Sequence, residues 1–194
     1  MPSDLDIEFN EECIIEHNRE QEQSLRALHG CPELILDYEL AKDAQKYAEH
    51  LASVNELEHC TDTDSGENLA FFTTTTWSTW LSAWRETDRS WVRISRAAGS
   101  WMRTAEEYHS RTKRQPSVDA TKTWYQEIED YDFKKENQFP CGHFTQVVWK
   151  STTTAGFGRA WSKDRHSIYV VGRYDPPGNF SDEFLENVPP LISK

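Results

Sequence analysis

The spacing of apolar residues in the first third of the chain predicts two helices. The first covers residues 11 to 28, which are rich in Glu, Gln and Leu, and the sequence HGCP at residues 29 to 32 is a typical helix stop. The second begins at Asp37 or Asp43 and ends near Val54. Its apolar residues have the spacing of one helix face, namely Leu40, Ala44, Tyr47, Ala48 and Leu51.

The second half of the chain predicts one helix followed by three strands. The helix covers residues 119 to 131 and is opened by Asp119. The three strands are rich in β-branched and aromatic residues and are separated by short turns, which predicts an antiparallel meander. They are FTQVVWKS from residue 144, AGFGRAW from residue 155 and SIYVVGRY from residue 167.

Polar and proline-rich stretches separate these elements. Residues 60 to 67 and 137 to 142 are predicted loops, and the proline-rich tail from 175 to 194 is a predicted extended strap. Helices therefore precede strands along the chain, which favours an α+β layered domain over a doubly wound sheet. The length of 194 residues fits one domain.

A segment from about residue 76 to residue 117 has a different composition. Residues 77 to 115 contain eight Arg or Lys and four Asp or Glu, a local charge of +4. Because the net charge of the whole chain is −12, the other residues together carry −16. Tryptophans and arginines form two stripes at helical spacing in this segment. The first stripe contains Trp77, Trp80, Trp84 and Trp91, and the second contains Arg85, Arg89, Arg93 and Arg96.

Three roles for this segment remain open. A basic helix with a tryptophan face has the composition of helices that lie on an anionic membrane surface. The same segment is suited to packing on the acidic remainder of its own domain, or to docking on a protein partner. The sequence alone does not choose among them.

Charge and hydropathy exclude several classes of protein. A net charge of −12 disfavours general nucleic-acid binding, because phosphates are repelled. No apolar run approaches the roughly 20 residues that span a bilayer. The acidic start of the sequence has neither the basic nor the apolar region of a secretory signal peptide. We therefore expect an intracellular protein, cytoplasmic or peripherally associated with a membrane.

The four cysteines, Cys13, Cys31, Cys60 and Cys141, have no CxxC pair and no zinc-finger spacing. In a chain of this length they are interpreted as buried or surface thiols, with one disulfide left open.

Four short motifs, in order, resemble those of the CAP superfamily. They are His17-Asn18, Gly66-Glu67-Asn68-Leu69, the main signature GHFTQVVW at residues 142 to 149, and the second signature YVVGRYDPPGN at residues 169 to 179. The CAP group, also called SCP/TAPS, comprises cysteine-rich secretory, antigen 5 (venom allergen) and pathogenesis-related 1 proteins. The resemblance covers residues 12 to 75 and 118 to 190, and it implies a single CAP domain over residues 1 to 194 interrupted by the 76–117 insertion.

Two departures from the family pattern matter. The second signature usually has Cys where this chain has Gly172, and the disulfides of secreted members are missing, which is similar to the intracellular, Golgi-associated plant pathogenesis-related-like branch. The helix motif has Gln21 where Arg is expected, so Arg26 is the candidate to replace that arginine. The implied fold is a three-layer α-β-α sandwich with a central antiparallel sheet.

The resemblance also implies a cleft that contains two histidines and two glutamates. By motif these are His59, Glu67, Glu127 and His143. Two neutral imidazoles, His59 and His143, can hold zinc or another divalent cation, with the two carboxylates orienting them through their other ring nitrogens. The same four groups are also suited to general acid–base work, or to a buried polar network without chemistry.

Ligand and nucleophile counts favour binding over catalysis. A catalytic zinc usually has three protein ligands, and no GxSxG elbow accompanies Ser65, the serine near Glu67. We therefore expect a non-enzymatic binding protein that engages a lipid, a sterol or a protein partner, and that forms homodimers. The alternative is a metal-dependent hydrolase with His59 and His143 as ligands and Glu67 or Glu127 as base.

Overall fold

The computed structural model describes residues 6–18, 25–73 and 116–192 of the chain. The predicted insertion at 76–117, including the tryptophan and arginine stripes, lies outside these residues except for its last two positions. In the described part, the α-helices are α1 (Ile7–Asn18), α2 (Leu25–Leu28), α3 (Tyr38–Val54), α4 (Pro116–Gln126), α5 (Gly142–Val148) and α6 (Phe184–Asn187). Short 3-10 turns cover Glu127–Asp130 and Phe139–Cys141.

The sheet has four strands, β1 (Ile35–Leu36), β2 (Gly66–Thr73), β3 (Thr154–Trp161) and β4 (Ser167–Asp175), in the order β1-β3-β4-β2. The two strands β3 and β4 form an antiparallel hairpin. The strand β2 pairs antiparallel with β4, from Gly66 opposite Tyr174 to Thr73 opposite Ser167. The short β1 pairs parallel with β3.

The helix α3 covers one face of the sheet. Asp37 caps its start by accepting hydrogen bonds from two backbone amides, and Asn55 ends it in the left-handed conformation with φ of 61°. Gly156 and Gly158 of β3 allow a very close approach, because a Cβ built on either would lie 2.1–2.2 Å from the α3 backbone. The predicted helix ending near Val54 is confirmed, with Asp37 as its start.

The helices α1, α4 and α5 cover the opposite face of the sheet. Their large apolar side chains meet the sheet in the main core, whose fully buried members include Phe9, Trp124, Phe144, Trp149 and Phe157. The chain is thus an α+β protein in which helices lie on both faces of the sheet, as the predicted α-β-α sandwich requires.

One predicted strand is wrong. The segment FTQVVWKS, predicted as the first strand of a meander, lies mainly in helix α5. Residues 144 to 148 are all buried, so the segment has no polar face that would reveal a helical period. A short run that is buried on all sides does not distinguish helix from strand. The other two predicted strands are confirmed as β3 and β4, and they form a hairpin.

Other boundaries also differ from the prediction. The single helix predicted over 11 to 28 is described as two helices, α1 and α2, with residues 19 to 24 outside the described part. The predicted loop over 60 to 67 ends in strand β2, because its last two residues already pair with β4. The helix predicted over 119 to 131 begins earlier and ends in a 3-10 turn. The parallel strand β1 has no counterpart in the prediction.

The predicted extended strap at the C-terminus is interrupted by the short helix α6. Phe184 and Val188 are buried, so α6 is part of the core. Beyond it, the imidazole Nδ1 of His29 donates to the Pro189 carbonyl at 2.6 Å, and the Ile192 amide donates to the Leu28 carbonyl at 2.8 Å. The strap therefore packs against the end of α2.

All four cysteines are free thiols. Cys13, Cys31 and Cys141 are buried and Cys60 is partly exposed. Burial raises the pKa of the Cys13, Cys31 and Cys141 thiols. The interpretation as buried or surface thiols is therefore confirmed, and the disulfide left open does not form.

Candidate functional site

Four separate elements bring the predicted site residues together. His59 lies in the loop after α3, and Glu67 is the second residue of β2. Glu127 begins the 3-10 turn after α4, and His143 is the second residue of α5. The structure joins these four residues as two histidine–glutamate pairs whose imidazole rings face each other.

In the first pair, Glu67 holds the His59 loop. Its Oε1 accepts a hydrogen bond from His59 Nδ1 at 2.7 Å and another from the Cys60 amide at 3.0 Å. The Glu67 side chain is only 6% exposed, whereas that of His59 is 64% exposed. A buried carboxylate thus orients an imidazole that remains accessible from the surface.

In the second pair, Glu127 holds both the ring and the backbone of His143. Its Oε1 accepts from His143 Nδ1 at 2.6 Å. Its Oε2 accepts from the backbone amides of His143 and Phe144 at 2.9 and 3.1 Å. These amides belong to the first turn of α5 and have no partner within the helix, so the carboxylate also caps α5.

The two imidazole rings face each other across the cleft. Their centroids are 6.4 Å apart and their planes are inclined by 24°. Because each Nδ1–H donates a hydrogen bond to a carboxylate, the lone pair of each neutral ring is on Nε2. Neither Nε2 makes a hydrogen bond to the described part of the chain. The cleft therefore presents two imidazole nitrogens that are available to a ligand.

The His59 ring is poised to carry a positive charge more readily than a free histidine. Its pKa is raised, chiefly by the hydrogen bond to Glu67, while partial burial and the charge of Arg173 oppose that rise. A bound cation would compete with this proton for the ring.

Three further residues support the site and were missed by the sequence analysis. Asn68 Nδ2 donates to the His143 carbonyl at 3.0 Å from the side of the sheet opposite Glu67. Arg173 forms an ion pair with Glu67, and its guanidinium lies 5.1 Å from the centre of the Tyr47 ring. Asn68 and Arg173 lie inside the quoted motifs, which is a signal that could have found them.

The donor set is small. In the residues that the structure describes, no group of three or more His, Cys, Asp or Glu side chains converges as a metal site would require. Ser65 Oγ lies 2.8 Å from the Thr63 hydroxyl and makes no hydrogen bond to either imidazole of the cleft. Among the described residues, the two Nε2 atoms are thus the candidate donor atoms that the cleft offers to a ligand.

The remaining described histidines have other surroundings. His17 and His29 are buried and hydrogen-bonded in the core, and burial lowers the pKa of both, that of His17 to about 4. His50 and His166 are exposed. His109 lies outside the described residues. The four described histidines outside the cleft therefore pack in the core or lie at the surface.

The fold and the motifs are those of one protein family. Residues 23–174 match the model of the cysteine-rich secretory protein family, CAP. The chain therefore belongs to the CAP family, and the resemblance in its four motifs is confirmed. The family match gives no support to the hydrolase alternative.

Curated relatives differ in how much of the chain they match. The human Golgi-associated plant pathogenesis-related protein 1 is 32% identical over 189 residues, which cover 94% of each chain. Venom allergen 5 of Vespula maculifrons is 40% identical over 74 residues, covering 35% of this chain and 36% of the allergen. Protein PRY2 of Saccharomyces cerevisiae is 42% identical over 76 residues, covering 39% of this chain and 22% of PRY2.

Solved structures with low sequence identity share the fold. The crystal structure of NaASP2 with Zn2+ has a TM-score of 0.57 at 16% identity, and the match covers all of this chain and 88% of NaASP2. The hookworm platelet inhibitor has a TM-score of 0.55 at 16% identity, and the match covers 93% of this chain and 76% of the inhibitor.

In the described ranges, no helix is both long and apolar enough to cross a bilayer.

Proposed function

We propose that this CAP protein is a non-enzymatic binding protein whose cleft holds a divalent cation through Nε2 of His59 and Nε2 of His143. One observation carries the proposal: each imidazole has its Nδ1 fixed by a carboxylate, and the two rings face each other with their centres 6.4 Å apart. Metal-binding histidines commonly donate their second ring N–H to a carboxylate, which fixes the tautomer and raises ligand basicity. Glu67 and Glu127 would have this orienting role.

The type of donor favours zinc and similar metals. Imidazole nitrogens suit zinc, copper and nickel, whereas magnesium and calcium prefer oxygen ligands. NaASP2, which shares this fold, has been crystallised with Zn2+, so zinc is the first cation to test. With two protein ligands, the remaining positions would be filled by water or by a further ligand, and we expect a weaker site than a structural zinc centre.

Calorimetric titration with zinc tests the proposal. Wild type should bind, and a His59→Ala, His143→Ala double variant should not, because the double variant lacks both imidazoles of the cleft. A His50→Ala, His166→Ala double variant is the matched control, since both of its histidines are exposed and lie outside the cleft. Equal binding by the wild type and the cleft variant would contradict the assignment.

The wider role of the protein is part of the same proposal. A lipid, a sterol or a protein partner would bind around the cleft or at the 77–115 segment, and homodimers would form. The human relative is named as Golgi-associated and matches 94% of this chain, which supports an intracellular protein associated peripherally with membranes. The basic composition of residues 77–115 supports an anionic membrane surface as one partner.

A further inference from the structure

Arg173 lies beneath the cleft as a buried cation. It is on β4, directly opposite Glu67 of β2 in the sheet register. The two side chains are 3% and 6% exposed. Both project toward α3, because the guanidinium lies against the ring of Tyr47 on that helix.

The contact between Arg173 and Glu67 is mainly one of charge. Nη1 of Arg173 lies 3.0 Å from Oε2 of Glu67. Neither atom has a hydrogen-bond partner with good geometry among the described residues, and the same holds for Nε of Arg173. The separation identifies an ion pair, although the N–H does not point at the oxygen. A nearly buried carboxylate requires such a counter-charge.

The two oxygens of Glu67 therefore have different roles. Oε1 accepts hydrogen bonds from His59 Nδ1 and the Cys60 amide, whereas Oε2 lies against Arg173. Because Arg173 lies against one oxygen and two N–H donors bind the other, the Glu67 carboxylate is held in one orientation. That orientation determines which nitrogen of His59 carries the proton.

The other half of the cleft does not use an arginine. Glu127 is 27% exposed, and its second oxygen accepts two backbone amides of α5 instead. The two histidine–glutamate pairs are thus supported by different means. A change at Arg173 should affect the His59 half and leave the His143 half intact.

We propose that Arg173 is a positioning residue for the cation site, acting through Glu67 on His59. It holds the Glu67 carboxylate toward the loop, so that His59 keeps its proton on Nδ1 and its lone pair on Nε2. The step from tautomer to cation binding rests on the proposed function of the cleft, whereas the effect of Arg173 on the tautomer does not.

The tautomer is measured by NMR of the imidazole nitrogens in metal-free protein, about two pH units above the ordinary histidine pKa. His59 of wild type should show the Nδ1–H form. Arg173→Met should give a mixture of tautomers at His59 and no change at His143. Arg173→Lys, which keeps the charge, should restore the wild-type form in part. An unchanged His59 spectrum in Arg173→Met would overturn the proposal.

The matched control is Arg159→Met. Arg159 also pairs with a carboxylate, Asp6 at 2.6 Å, but it packs on Phe9 of α1 and so lies on the opposite face of the sheet. This variant should leave both cleft histidines unchanged. Arg173→Gln is a second neutral variant in case the methionine variant does not fold. The proposal fails if the arginine-to-glutamine change also leaves His59 unaltered.

Zinc titration then separates this proposal from the function of the cleft. Arg173→Met should weaken zinc binding by roughly 10- to 100-fold, the usual effect of losing an outer-shell partner, and Arg173→Lys should weaken it less. A tautomer change without any change in zinc affinity would overturn the positioning role. If wild type itself does not bind zinc, the cation-binding function is wrong, and the tautomer result alone decides the role of Arg173.

Discussion

His17 shows how a single buried histidine connects the first helix to the sheet. It has no exposed surface, and its Nδ1 donates to the Cys13 carbonyl at 2.8 Å. Its Nε2 accepts from the Tyr174 hydroxyl at 3.0 Å, and Tyr174 is a buried residue of β4. Two buried hydrogen bonds therefore hold the His17 ring between α1 and the sheet.

The burial of His17 predicts a decrease in the free energy of unfolding in acid. Burial lowers the pKa of His17 from 6.5 to about 4, so the unfolded chain binds the proton more tightly than the folded protein. The contribution of His17 to the free energy of unfolding is fully present above the pKa of the unfolded state. It is lost as the pH falls through the pKa of the folded state, by about 3 kcal/mol in total. Urea unfolding of wild type and His17→Gln across this range measures the loss.

The His17→Gln variant is expected to have a lower free energy of unfolding than wild type near neutral pH. The difference between the two free energies should become smaller as the pH falls. Comparing two proteins cancels the carboxylates that titrate in the same range. His166→Gln, at an exposed position, is the control and should show no narrowing. A constant difference between wild type and His17→Gln would show that His17 does not have the predicted pKa. His29, also buried, contributes to the slope of both proteins.

At the scale of elements, Arg26 organises the end of α5. Its Nη1 donates to the carbonyls of Val147 and Trp149 at 3.0 and 2.9 Å, and its Nη2 donates to Thr152 at 3.0 Å. Nε donates to Pro32 at 2.7 Å. A buried arginine therefore satisfies carbonyls that the helix end leaves free. That Arg26 replaces the arginine of the helix motif stays a prediction.

Replacing Arg26 should be strongly destabilising. Arg26→Met removes these four hydrogen bonds and leaves buried carbonyls without donors, at about 1–3 kcal/mol each. We expect a loss of at least about 3 kcal/mol in the free energy of unfolding, measured with urea, and a smaller loss for Arg26→Lys. Lys163→Met at an exposed position is the control. A loss below about 1 kcal/mol would contradict this role.

The helices α3 and α5 show which elements could be predicted from the sequence and which could not. Helix α3 was predictable because its buried alanines and Leu51 repeat with a helical period against a polar face. Helix α5 was not, because every residue from Phe144 to Val148 is buried and no period remains. Its motif nevertheless identified His143, since a motif fixes residues without fixing their secondary structure.

The site was predictable as a set of residues but not as an arrangement. Motifs identified His59, Glu67, Glu127 and His143, and the structure brings all four together. The pairing of Glu67 with Arg173 depends on the register between β2 and β4, strands that are far apart in the sequence. Such a register is set by the packed sheet, so no local pattern indicates it.

At the scale of the whole molecule, charge is unevenly distributed along the chain. Residues 77–115 contain eight basic and four acidic residues, while the chain as a whole has net charge −12. Binding of this segment to an anionic membrane would be worth about 1 kcal/mol for each basic residue near the surface. Such binding would weaken with salt, because the surface potential extends over about a Debye length.

Co-sedimentation with liposomes tests this use of the segment. Binding to vesicles that contain phosphatidylserine should fall steeply with added salt and on deletion of residues 77–115. Replacing Arg85, Arg89, Arg93 and Arg96 by Gln should reduce it similarly. Lys163→Gln with Arg165→Gln, two exposed residues of the described part, is the control. Binding that the deletion does not change would rule out the membrane role of the segment.

The strand β2 separates two parts of the molecule that can change independently. Its first residues, Gly66 and Glu67, belong to the cleft, and the 74–115 segment leaves from Thr73 at its other end. Eight extended residues place these ends about 24 Å apart. Sequence can therefore be added or replaced at the far end without altering the cleft, provided that the register with β4 is kept. In evolutionary terms, this separation would let the segment beyond Thr73 vary while Glu67 keeps its position in the cleft.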